Sequence, residues 1–102
     1  MSVIVIATIC PDPAHRDEVT AACEETVKRV HAEPGVERYA LQEGPDRLVI
    51  IEKYASDQAR TDHNNDSALA ALATALHGKL TRELDAQVLH PHPAGDPAKG
   101  TI

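Results

Sequence analysis

The sequence predicts one α+β domain whose elements follow the order βαββααβ. Three observations predict it: a short β-branched run opens the chain, a long amphipathic helical pattern follows, and two further strand-like runs are joined by a turn too short to contain a helix. The length of 102 residues is that of a single domain. We assign residues 1–90 to this domain and residues 91–102, which are rich in Pro and Gly, to a flexible C-terminal tail.

Residues 3–9 predict the first strand, because they are mostly β-branched and are apolar at both odd- and even-numbered positions. Asp12 and Pro13 then predict a helix start, as the N-cap and the first helical residue. Apolar side chains recur at three- and four-residue steps as far as Val30, and charged side chains fill the positions between them. This amphipathic helix is expected to end before Pro34.

The second and third strands are predicted over residues 36–42 and 48–54. Between them, Glu43-Gly44-Pro45-Asp46 has the composition of a tight turn. A connection this short can join only antiparallel neighbours, so the two strands form a hairpin.

Two short helices and a last strand complete the pattern. Ser56 can cap a helix that reaches Asn64, and Asp66 can cap a second helix, which Gly78 weakens or ends. The last strand is predicted over residues 82–90, where alternating apolar and polar residues are typical of a strand with one face in water. The helix that Asp66 caps has one predicted apolar stripe, formed by Leu69, Leu72, Ala73, Leu76 and Leu80.

This order is that of the ferredoxin-like plan, an antiparallel four-stranded sheet with helices on one face and the first and third strands at its centre. The two predicted central strands are also the most apolar, and each is apolar on both faces. The face without helices would expose a patch larger than soluble monomers tolerate. We therefore expect a homodimer that packs sheet against sheet, as a dimeric α+β barrel.

Composition and charge disfavour several classes of partner. Ten basic and sixteen acidic residues give a net charge of −6, which disfavours nucleic acid and anionic membranes. No segment approaches the roughly 20 apolar residues of a membrane span and the N-terminus lacks a signal peptide pattern, so we expect a cytoplasmic protein. Cys10 and Cys23 are interpreted as small apolar side chains, and His90-Pro91-His92 lacks the companion ligands of a metal site.

Short motifs in this pattern resemble the antibiotic biosynthesis monooxygenase domains, small dimeric proteins that include quinol monooxygenases. The segment from Glu33 to Tyr39 is similar to the family's E-x-G-x-x-x-Y segment, and residues 48–54 are similar to its strand ending in E-x-W/Y. His63, nine residues after Tyr54, stands where the family commonly has a histidine. The resemblance covers about residues 2–90. It implies a monooxygenase that uses no metal, flavin or haem cofactor and oxidises a small aromatic or quinol-type substrate with O2.

The chain also departs from the family's pattern. Many members have a second histidine where this sequence reads Asp66-Ser67-Ala68. Haem-degrading relatives use a first-strand asparagine and a tryptophan, which this chain lacks, and an axial histidine near the position of Ala73. His77, one turn further along, is not expected to replace that ligand, so a haem oxygenase is not predicted.

Five residues are predicted to form the site. The resemblance implies that His63 is the catalytic base. The ordinary pKa of histidine, near 6.5, suits a base that works at neutral pH. The alternative is a surface histidine at a helix end. Asn64 and Tyr54 would orient the substrate. Tyr39 and Glu52 join this substrate-binding set if the strand register brings them to one cavity.

Alternative interpretations remain open at this stage. The same fold could be an isomerase of a small phosphorylated diketone, with Arg38, Arg47 or Lys53 near the phosphate, or a non-catalytic dimer that binds a small ligand. A buried Glu52 needs a partner, and a structural ion pair with a residue such as Arg38 is the preferred interpretation. For the two tyrosines, core or interface packing is preferred to a catalytic role, and a Tyr donor at the pocket rim is compatible with both.

Overall fold

The computed structural model describes all 102 residues and confirms the predicted α+β, ferredoxin-like fold class. A 3₁₀ turn, Pro13–His15, leads into the first helix. No helix of the chain combines the length and the apolar content needed to cross a membrane. In chain order the elements are β1 (Val3–Ile9), α1 (Arg16–Val30), β2 (Val36–Glu43), β3 (Leu48–Tyr54), α2 (Asp57–Asn64), α3 (Ser67–Leu76) and β4 (Asp85–Leu89).

The four strands form one antiparallel sheet in the order β2-β3-β1-β4, with β1 and β3 at the centre as predicted. Glu52 of β3 lies opposite both Val5 of β1 and Tyr39 of β2. Because directly opposed residues point to the same face, this register places Tyr39 and Glu52 side by side under the helices.

Side-chain caps fix the starts of the 3₁₀ turn before α1 and of the helices α2 and α3. Asp12 accepts a hydrogen bond from the Ala14 amide at 2.9 Å, before the 3₁₀ turn. Ser56 accepts from the third residue after it, and Asp66 from the second, at the starts of α2 and α3. These are the three caps predicted from the sequence, and each satisfies an amide that the helix itself cannot.

The main core lies between the sheet and the helices α1 and α3. Cys10 and Cys23 are both buried, in agreement with their interpretation as small apolar side chains. Burial, with a smaller contribution from the charge of Glu24, raises the pKa of Cys23 to about 11, so this thiol stays protonated at neutral pH. The residues of the core are Ala7, Ile9, Val19, Cys23, Val30, Tyr39, Leu48, Ile50, Ala68, Leu72 and Leu76.

Two predicted details of the second half are wrong. In α3 the buried residues are Ala68, Leu72 and Leu76, whereas Ala73 is exposed, because the helix turns its Ala68 side toward α1. The last strand is shorter than the predicted range of residues 82–90. The face that was expected to be buried is exposed to solvent, and Val88 on that face is 45% exposed. No helix packs closely over β4, which lies at the sheet edge beside a cavity.

The opposite face of the sheet has no helix over it. Ile6, Val49 and Ile51 are half-buried there, and Ile4 is buried beside the end of the tail. Within the tail, Asp96 accepts backbone hydrogen bonds from Ala98 and Lys99 in a local turn.

Candidate functional site

A cavity of about 310 Å³ lies between the sheet and the helices α2 and α3. Ten of its fourteen lining residues are hydrophobic, and they come from all four strands, from α3 and from Leu84 just before β4. The volume is at the lower end of the range for small-molecule sites. The four other lining residues are Glu52, Arg60, His63 and Asn64.

Helix α2 supplies three of these four polar residues from one face. Arg60, His63 and Asn64 are spaced i, i+3 and i+4, so they lie next to one another on the helix surface. Close contact with the segment before β2 holds the helix in place. A Cβ atom added at Gly35, where φ is +82°, would lie 2.7 Å from the Cβ atom of Ala59, so only glycine permits this approach.

His63 is buried, with 2% of its surface exposed. Its Nδ1 atom lies 3.0 Å from Oε1 of Glu33, and its ring lies between the rings of Tyr39 and Tyr54, with centroid distances of 5.4 and 5.3 Å. The alternative of a surface histidine is therefore wrong. The long-range pairing with Glu33, thirty residues earlier, accounts for the burial of a polar residue in a polar stretch of sequence.

The Glu33 carboxylate also defines which nitrogen of His63 is available for chemistry. A carboxylate can only accept, so Nδ1 donates its proton to Glu33 and the neutral ring has its acceptor lone pair at Nε2. Nε2 has no hydrogen-bond partner in the chain, and it is not among the polar atoms that are both unpaired and fully occluded. This nitrogen is therefore reached from the cavity that His63 lines.

Glu52 is buried opposite Tyr39, and its partner is Tyr54. The Tyr54 hydroxyl donates to Oε1 of Glu52 at 2.5 Å. Burial raises the pKa of Glu52, against the smaller lowering effects of the Tyr54 hydrogen bond and the positive charge of His63. The predicted ion pair with Arg38 is wrong, because Arg38 pairs in register with Lys53 and is exposed.

The two tyrosines differ in their contact with the cavity. Burial, and then the charge of Glu52, raises the pKa of both Tyr39 and Tyr54, so both remain protonated donors at neutral pH. Tyr39 lines the cavity and its hydroxyl has no partner in the chain. Tyr54 is fully buried behind Glu52 and His63 and does not reach the cavity wall. Any effect of Tyr54 on a ligand must therefore pass through Glu52 or His63.

The structure thus brings four of the five predicted residues to one wall: His63, Asn64, Tyr39 and Glu52. It also adds Arg60, which sequence reasoning missed. The signal that could have identified Arg60 is its spacing, one turn before His63 on a capped helix. No group of three or more His, Cys, Asp or Glu side chains is arranged to hold a metal ion.

The sequence model of antibiotic biosynthesis monooxygenase matches residues 2–75. The chain belongs to this family. No curated protein matches the sequence at a significant level.

Solved structures with similar coordinates extend the likeness beyond the matched segment. Rv0793 from Mycobacterium tuberculosis has 28% identity and a TM-score of 0.87, over 94% of this chain and 100% of that protein. A structure named antibiotic biosynthesis monooxygenase has 21% identity and a TM-score of 0.82, over 89% of this chain and 99% of that one. PA3566 from Pseudomonas aeruginosa has 22% identity and a TM-score of 0.80, over 87% of this chain and 92% of that protein. The last two similarities establish the fold alone.

Proposed function

We propose that the protein is a cofactor-independent monooxygenase that oxidises a small aromatic or quinol-type substrate with O2. Membership of the family supports oxygenation as the class of reaction. The observation that carries the proposal is the environment of His63. One ring nitrogen is held by Glu33, and the other is open to a cavity with mostly apolar walls.

In this proposal His63 is the base that activates the substrate. A phenol or hydroquinone is far more easily oxidised by O2 as its anion than in its neutral form. Nε2 of His63 takes the hydroxyl proton, and the resulting imidazolium is stabilised by the Glu33 carboxylate at Nδ1. Both side chains are largely buried, which strengthens this charge pairing relative to water.

The remaining lining residues hold the anion and exclude water. Tyr39 offers an unpaired hydroxyl to a substrate oxygen, and Asn64 offers an amide at the end of α2. The Tyr54 hydroxyl donates to Oε1 of Glu52, which partly offsets the repulsion between this carboxyl group and a substrate anion. The apolar side chains from the sheet and α3 limit access of bulk water to the reacting carbon.

The proposal includes a homodimer. The uncovered face of the sheet contains Ile6, Val49 and Ile51, and on the edge strand β4 Leu89, which lies opposite Ile4, is 45% exposed. An apolar surface on both the face and the edge of one sheet favours a second copy as the cover. Sedimentation at micromolar concentration should give twice the 11.0 kDa mass of the chain, and a single 11.0 kDa species would contradict the dimer.

Oxygen consumption with a panel of hydroquinones and anthrone-like phenols tests the proposed reaction. We expect His63→Ala to lower the rate about 10²- to 10⁴-fold, as for removal of a general base. His77→Ala is the matched control, because His77 is exposed at the end of α3 and does not line the cavity. Uptake by the wild-type protein no faster than autoxidation, or equal rates in the wild type and His63→Ala, would contradict the proposal. Stabilisation by phosphorylated diketones alone would support an isomerase.

A further inference from the structure

Arg60 is the one Lys or Arg in the cavity wall, and the chain gives it no partner. None of its guanidinium nitrogens hydrogen-bonds within the chain, and no carboxylate oxygen lies within 4.0 Å of them. Its Nε atom is fully occluded and unpaired. The two terminal nitrogens are also unpaired, but they are not occluded and can donate to a ligand in the cavity. An unpaired guanidinium in a largely buried wall is costly, so this arrangement is typical of a site completed by a ligand.

No neighbouring carboxylate pairs with Arg60, although Oε2 of Glu33 is itself buried and unpaired. Glu33 holds His63 from behind and does not line the cavity, and Glu52 accepts from Tyr54. The chain as a whole is acidic, with a net charge of −6. An anion that enters this cavity therefore meets one fixed positive charge, Arg60.

We propose that Arg60 binds a carboxylate on the substrate, so that the substrate class is aromatic hydroxy acids. The two terminal nitrogens of the Arg60 guanidinium are unpaired and are not occluded, and together they match the two oxygens of a carboxylate. The inference rests on the proposed function for the reaction, but the binding claim can be tested without it.

The helix spacing sets how the substrate would lie. Arg60 and His63 are three residues apart on α2, which places their side chains about one helical turn from each other. A carboxylate on Arg60 therefore brings the hydroxyl of the same aromatic system toward Nε2 of His63. The apolar wall from α3, formed in part by Leu69 and Leu72, contacts the ring.

Anaerobic titration calorimetry with 1-hydroxy-2-naphthoic acid and its methyl ester tests the inference. We expect the wild-type protein to bind the acid at least tenfold more tightly than the ester. Arg60→Gln should weaken binding of the acid about 10- to 100-fold and leave the ester unchanged, and Arg60→Lys should restore part of the loss. Arg82→Gln is the matched control, because Arg82 is exposed and outside the cavity.

Three outcomes would overturn the inference: no binding of the acid, equal affinity for acid and ester, or equal losses for both in Arg60→Gln. Tighter binding of 1-naphthyl phosphate than of the acid would overturn the assignment to a carboxylate. Circular dichroism shows whether each variant is folded. If Arg60→Gln does not fold, Arg60→Lys, which retains the positive charge, is compared with the wild type instead. Acid binding through Arg60 without O2 consumption would refute the proposed reaction alone, whereas rapid oxidation of neutral phenols with no preference for acids would refute the carboxylate site alone.

Discussion

Replacing Tyr54 by Phe removes one buried hydroxyl from behind the cavity wall and keeps the packing of the ring. Tyr54 is fully buried, and its hydroxyl is the hydrogen-bond donor to Glu52, which is 5% exposed. The variant leaves Oε1 of Glu52 buried without a partner. A hydrogen bond to a charged group contributes about 1.5–3 kcal/mol. We therefore expect the free energy of unfolding at pH 7 to fall by about 2 kcal/mol.

Urea unfolding at a fixed protein concentration measures this loss, and thermal unfolding should show a decrease in Tm of about 10 °C. Tyr39→Phe is the matched control. Tyr39 is also buried, but its hydroxyl has no partner in the chain, so its stability should stay within about 0.5 kcal/mol of the wild type.

The pH dependence provides a second measure of the same contact. Because burial raises the pKa of Glu52, the folded state binds this proton more tightly than the unfolded state. The stability from this group is fully present below the ordinary pKa near 4.5 and is lost as the pH rises through the higher folded value. Since the Tyr54 hydroxyl lowers the folded pKa, its removal increases the penalty at neutral pH. A Tyr54→Phe loss that is the same at pH 4 and pH 8, or a loss as large in Tyr39→Phe, would refute this reasoning.

The remaining predictions concern the placement of α2 and of His63. Gly35→Ala should lower the free energy of unfolding by about 2–4 kcal/mol, because φ is +82° and the new Cβ would lie 2.7 Å from that of Ala59. Gly78→Ala, with φ +74° and open space around it, should lose only about 1 kcal/mol, and equal losses in urea unfolding would contradict the contact. Glu33→Gln should lower turnover at least tenfold with little change in KM, because an amide can also donate to Nδ1 and no longer selects one tautomer of His63. Unchanged turnover would show that Glu33 does not position the base.

The elements that were predicted correctly are those with local signals. The strand over residues 48–54 and the helix from Ser56 to Asn64 have the predicted limits, because an apolar run, a turn and a capping side chain are each contained within a few residues. The sheet order followed from the fold plan and from the high apolar content of the two central strands.

The features that the sequence left open or did not indicate depend on how side chains pack in three dimensions. The polar stretch around His63 is compatible with a cavity position and with a surface position, and the structure decides between them through the contact with Glu33, thirty residues earlier. The partner of Glu52 could not be derived either, because a tyrosine two residues away on the same strand competes with any cation for the carboxylate. Arg60 has no sequence signal that separates it from a solvent-exposed helix residue, because its position in the cavity wall depends on the packing of α2 against the sheet.

Isotope labelling tests the central claim most directly, since that claim is oxygenation by O2 in the His63 cavity without a cofactor. An anthrone-type substrate loses two hydrogens and gains one oxygen atom, and the second atom of O2 leaves as water. With ¹⁸O2 and purified, chelator-treated protein, we predict that the product gains one ¹⁸O atom and that the gain depends on His63. A product without ¹⁸O, or labelling at the same rate in His63→Ala, would contradict the account.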